Sequence, residues 1–190
     1  IGLGALRAYL LAKLMWDPWC DYDALMAEFL DLYYGKAAPH VREYIDLTAR
    51  YALDKGALVH VHDFGDWIGY DLVTKADEIL RQAVASADTP ETRLHAHQLW
   101  VTNQFPAMCA QPKVEVTDGS IEVRRAETIG LDAILREMNH LGLPSYRPEP
   151  LSQRFSGWAF PEKLPRYDSS EIIVLENDHT EVWVAPALSG

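Results

Sequence analysis

Residues 16–47, WDPWCDYDALMAEFLDLYYGKAAPHVREYIDL, constrain the fold more than any other stretch, because they spell two amphipathic helices and the turn between them. Asp21 is predicted to cap the first helix, and Asp23 adds negative charge in its first turn, where the helix dipole favours it. Leu25, Phe29, Leu32 and Tyr33 follow at helical spacing and predict one apolar stripe. Gly35 suits the end of that helix and Pro39 the first turn of the next. Val41, Tyr44, Ile45, Thr48 and Ala52 continue the period, so an antiparallel helical hairpin is expected. These residues read as scaffold and carry no chemistry of their own.

The flanking segments extend a mainly α fold. Leu3, Leu6, Leu10 and Leu14 form a stripe, but Tyr9, Leu11 and Met15 fill other faces, which is the pattern of a helix buried on several sides. Asp17-Pro18 stops it. The chain opens at Ile1 inside this apolar run without an initiator Met, so a piece cut from a longer polypeptide is expected. Tyr70–Ala87 predicts a helix with Val73, Ala76, Leu80 and Val84 inward. Thr89-Pro90-Glu91 is a start signal for another, with Leu94, Gln98, Val101, Phe105 and Met108 inward and Pro106 as kink or end. Beyond Pro112 the character changes. Val114–Val116 and Ile121–Val123 alternate around Asp118-Gly119, a strong hairpin signal. Glu127–Leu141 returns to helix, with Gly142 as stop. Leu143–Asp168 carries five prolines and reads as a connector. Glu171–Leu175 and Glu181–Ala185 predict two strands, either the start of a further β domain or partners of the earlier hairpin. The expected units are 1–16, a helix belonging to a neighbouring domain; 17–111, a helical bundle; 112–168, hairpin, helix and connector; and 169–190, strands.

Composition excludes several functions. A formal charge of −11 disfavours nucleic-acid backbone and anionic membrane surfaces as partners. No run of about 18 apolar residues predicts a membrane span. Cys20 and Cys109 are too few for a disulfide framework and lack metal-ligand spacing.

His60-Val61-His62-Asp63 is the sharpest chemical constellation, within the short apolar run Ala57–Phe64, a strand or extended connector. Residues two apart on a strand share a face, so His60 and His62 could meet one metal with Asp63 or Asp66 as hard ligand, as in a metal-dependent hydrolase. The plainer alternative is two polar residues ending an extended segment. His95 and His97 on a helix diverge by about 200° and do not share an ion. His40, His140 and His179 stand alone. Twenty-eight acidic residues offer no carboxylate pair whose separation sequence can fix, so no catalytic residue is assigned. No phosphate-binding glycine loop or nucleophile elbow is present. Among the six tryptophans, Trp67 is the best sugar-stacking candidate, because it lies in a turn beside the histidine pair. No cofactor is implied.

LRAYLLAKLMWDP followed by DYDALMAEFLDLYYGKAAPHVREYIDL resembles a stretch of large bacterial proteins long grouped as a domain of unknown function and now partly assigned to glycoside hydrolases. Characterised members are similar to endo-β-N-acetylglucosaminidases acting on N-glycans, glycoside hydrolase family 163. RAETIGLDAILREMNHLGLPSYR is similar to the helix and loop that follow there. The resemblance implies a TIM-like catalytic barrel upstream whose last helix is Leu3–Trp16, with the catalytic acids on barrel strands that match no position here. It implies a non-catalytic support region of a carbohydrate-active enzyme that braces the barrel, shapes one rim of the sugar cleft and contacts glycan only through its parent. The histidine pair departs from the family's pattern, so Trp67, His60 and His62 are candidate substrate-binding residues from their own placement alone. Self-association and a secreted, periplasmic or cell-surface location accompany that expectation. A plain protein-interaction module is the remaining alternative.

Overall fold

The computed structural model describes residues 3–57, 67–117, 120–143, 167–168, 173–177 and 180–184. Its order is α1 (Gly4–Trp16), α2 (Tyr22–Tyr34), a 3-10 turn (Gly35–Ala37), α3 (Ala38–Asp54), α4 (Tyr70–Ser86), α5 (Pro90–Cys109), β1 (Lys113–Thr117), β2 (Ser120–Arg124), α6 (Leu131–His140), β3 (Tyr167–Asp168), β4 (Ile173–Asn177) and β5 (Thr180–Val184). The fold is mainly α with small antiparallel sheets, as expected.

Local signals set the helix ends. The Asp21 carboxylate accepts from the Ala24 amide at 3.0 Å, and Pro39 lies in the first turn of α3. Thr89 caps α5 reciprocally. Its hydroxyl accepts from the Thr92 amide, and the Thr92 hydroxyl accepts from the Thr89 amide, each at 3.1 Å. Gly35, Gly56 and Gly142 all take positive φ where helices stop.

Packing follows chain order. α1 lies on α2, α2 on α3 and α5, α3 on α4, α4 on α5, and α5 on α6. The main core joins Leu6 and Leu10 of α1 with Met26, Leu30 and Tyr34 of α2, Val41 of α3, Leu80 and Ala83 of α4, and Ala96 and Leu99 of α5. A smaller cluster of Val73, Ala107 and Ala110 sits where α4 begins and α5 ends. There the Tyr70 amide donates to the Gln111 carbonyl and the Gln111 amide to the Ile68 carbonyl, at 2.9 and 2.8 Å.

Several expectations need correction. In α2 the buried row is Met26, Leu30 and Tyr34, while Leu32 is exposed. The helix is turned by about one residue, so Leu25, Phe29 and Tyr33 flank the core face instead of centring it. In α5 the buried residues include Ala96, Leu99, Thr102, Asn103 and Gln104, whereas Leu94 is exposed. Neighbours surround α5 on several sides, so its inward face is wide and includes polar residues, of which Gln104 is bonded through both its oxygen and its nitrogen and Asn103 through its oxygen only. Pro106 does not end the helix, which runs on to Cys109. The proline lacks one amide donor, and only three residues of helix follow it. α6 starts at Leu131 rather than Glu127, because the Ile129 amide is held by the Gln104 side chain at 3.3 Å and Gly130 takes φ 82°.

The hairpin has the expected pairing, with Val114 opposite Val123 and Val116 opposite Ile121. β4 and β5 pair with each other, and it is the two-residue β3 that extends the hairpin, through Ser120–Asp168 and Ile121–Tyr167. Residues 58–66, which contain the expected strand or connector, and most of the proline-rich connector lie outside the described residues.

Candidate functional site

His60, His62 and Asp63 lie outside the described residues. Trp67 is half-buried, its ring 6.5 Å from that of Tyr51 at 42°. Among the described residues, no group of three or more His, Cys, Asp or Glu could hold a metal ion. The two histidines of α5 are engaged by structure. His95 stacks on Tyr33, and His97 Nε2 lies 3.4 Å from Glu137 of α6, tying α5 to α6. Both cysteines are half-buried and free. Burial pushes the Cys109 thiol up to about 11, which removes the thiolate that nucleophilic chemistry needs.

Trp100 is no open sugar platform. Its indole N–H donates to Asp77 Oδ1 at 2.8 Å, Arg81 lies 5.3 Å over its ring, and His97 stacks 5.5 Å away. Asp77 is the hub of this group. The same oxygen accepts from Gln104 Nε2 at 2.8 Å, and its other oxygen takes Arg81 Nε at 2.6 Å. Its side chain is 19% exposed, so these are charge-assisted bonds partly shielded from water.

Beside that hub opens a cleft of about 550 Å³ between α4 and the end of β2 with the segment that follows it. Tyr70, Thr74, Asp77 and Arg81 line one wall. Their spacing of four, three and four residues puts them on one face of α4. Glu122, Arg124, Arg125 and Glu127 line the other. Arg124 bridges the directly opposed Glu115 and Glu122 at 3.3 and 3.1 Å, cancelling a like-charge cross-strand pair. This polar row of α4 is a 3.6-residue repeat in the sequence, running beside the apolar row that faces the core.

The second unusual surface is α1. Leu6 and Leu10 face the core. On the opposite side Gly4, Ala5, Ala8, Leu11, Ala12, Met15 and Trp16 are all exposed, and none carries a charge. Leu11 is 60%, Met15 83% and Trp16 92% exposed, with Trp19 at 93% in the loop that follows.

Residues 3–46 match the model of the domain of unknown function DUF4838. The matched segment thus contains α1, α2 and the first half of α3, together with the uncharged surface. No curated protein and no solved structure matches the chain. No helix among the described residues is long and apolar enough to cross a membrane.

Proposed function

We propose that this chain is a non-catalytic, mainly helical support region of a larger bacterial carbohydrate-active enzyme, and that α1 docks it onto a neighbouring domain of the same polypeptide. One observation carries the docking: an entire helix face, from Gly4 to Trp16, is apolar, uncharged and exposed. Water-facing helices of globular domains carry charge on that side, and a contiguous apolar patch of this kind marks an interaction surface.

Size decides between occupants. A helix of 13 residues is about 20 Å long, and one face about 10 Å wide offers a few hundred Å². A stable complex of separate molecules needs about 800 Å² from each partner. A tethered domain needs much less, because the linker supplies an effective concentration in the millimolar range. That favours a partner in the same chain over a second copy. The resemblance to glycoside hydrolase family 163 supports the class of parent, an endo-β-N-acetylglucosaminidase-like enzyme whose barrel would supply both the catalytic acids and the surface that receives α1.

Hydrogen exchange tests the docking. The α1 amides should be protected at least tenfold more in the longer polypeptide than in the isolated chain, and Met15→Ser with Trp16→Ser should abolish the difference. Equal protection in both overturns the docking. Turnover of N-glycans or synthetic glycosides by the isolated chain overturns the non-catalytic role.

A further inference from the structure

We propose that the cleft between α4 and the end of β2 with the segment after it binds a neutral, polyhydroxylated ligand of saccharide type. Its volume of about 550 Å³ lies within the range of small-molecule sites. The chemistry of the walls selects the ligand class. Asp77, Glu122 and Glu127 face Arg81, Arg124 and Arg125, so the six charges sum to zero. Most are already engaged: Arg81 holds Asp77, and Arg124 holds Glu122 and Glu115. An anion or cation entering this lining meets walls of zero net charge, and at Asp77, Arg81, Glu122 and Arg124 it would compete with existing pairs. An apolar ligand would strip water from charged groups and return no hydrogen bonds.

Hydroxyl groups suit these walls better. Each hydroxyl can donate to a carboxylate and accept from a guanidinium without displacing either from its partner. Ion pairs on α4 and β2 hold those groups in fixed orientations before a ligand arrives, which lowers the ordering cost of binding. Tyr70 and Thr74, which carry hydroxyls, also line the cleft, and an aromatic ring such as that of Tyr70 suits the C–H side of a sugar. The cleft is separate from the α1 face, so it stands or falls independently of the docking.

The test is an amide chemical-shift titration of the chain with glucose, galactose, mannose and N-acetylglucosamine to 50 mM, and with sodium sulfate as the anionic control. Saturable shifts are expected for at least one sugar, confined to the neighbourhood of Tyr70, Thr74, Arg125 and Glu127, and unchanged by 0.3 M sodium chloride. Arg125→Ala and Thr74→Val, both at exposed positions, should each weaken binding at least threefold with an unaltered melting temperature. Absence of saturation with every sugar overturns the proposal. So does a site that takes sulfate in preference, or affinity untouched by both variants.

Discussion

The ring of His95 on α5 lies flat on the ring of Tyr33 on α2, with centroids 3.6 Å apart and planes 8° from parallel. Its Nδ1 sits 2.8 Å from the Tyr33 backbone carbonyl. A carbonyl oxygen only accepts, so Nδ1 carries the hydrogen, and the imidazole covers one of the last carbonyls of α2, which has no partner within its own helix. His95→Ala removes the bond and the stacked ring together and is expected to cost about 1–3 kcal/mol. Urea denaturation would read this as a lower midpoint at unchanged slope, and a loss below about 0.3 kcal/mol would mean that α2 and α5 are not joined through this pair.

Gly35 lies at the turn between α2 and α3 with φ 54°. A Cβ there would stand 3.1 Å from both Asp88 Oδ1 and Thr92 Cγ2. Thr92 is fixed by its reciprocal bonds with Thr89, so it has little room to retreat. Gly35→Ala therefore combines an unfavourable backbone region with a close contact, and a loss of about 1–3 kcal/mol in thermal or chemical unfolding is expected. Gly56, where an added Cβ meets nothing within 4 Å despite φ 59°, isolates the backbone part. Gly56→Ala should cost less than Gly35→Ala.

Asp77→Ala would leave the Gln104 amide, which is fully buried, and the Trp100 indole without their shared acceptor. Two stranded donors predict a loss of about 2–4 kcal/mol. Because Gln104 also holds the Ile129 amide, hydrogen exchange should accelerate at Ile129 in the variant as well as around Trp100. A variant with exchange at Ile129 unchanged would show that the connector is held by other contacts.

Cys109 gives a pH dependence. Burial raises its thiol to about 11 from the usual 9.0, so between those values the unfolded chain releases a proton that the folded chain keeps. The folded state then binds more protons, and stability falls as pH rises from 9 to 11. Cys109→Ser should remove that portion of the decline, so the stability difference between the two proteins should be flat below pH 9 and should change above it. At pH 8 iodoacetamide should modify Cys109 roughly 10- to 100-fold more slowly than an unhindered thiol; a rate equal to free cysteine would place the thiol in water.

The contrast between α4 and α5 shows what could be read in advance. In α4 the inner row of Val73, Ala76 and Leu80 is apolar and buried as expected. In α5 the expected row held at Val101, which is fully buried, but Leu94 is exposed and Asn103 and Gln104 occupy the interior. Partners for these buried polar groups come from other elements: Tyr44 of α3 donates to Asn103 Oδ1, although Asn103 Nδ2 is left without a partner, and Asp77 of α4 and the Ile129 amide meet Gln104. Hydrophobic periodicity does not register such pairs. The cleft is hidden for the same reason, since its two walls are about 50 residues apart in the chain.

What the sequence determined alone is everything settled within a few residues: the Asp21 and Thr89 caps, the glycine stops, and the antiparallel pairing of Val114 with Val123. Those outcomes depend on local backbone geometry and on hydrogen bonds that a short segment satisfies by itself. Tertiary structure decided which face of α2 and α5 turns inward, where α6 begins, and that α1 shows an uncharged side to water. These depend on which elements meet, since a polar group may be buried, or an apolar one left bare, only according to what lies opposite it.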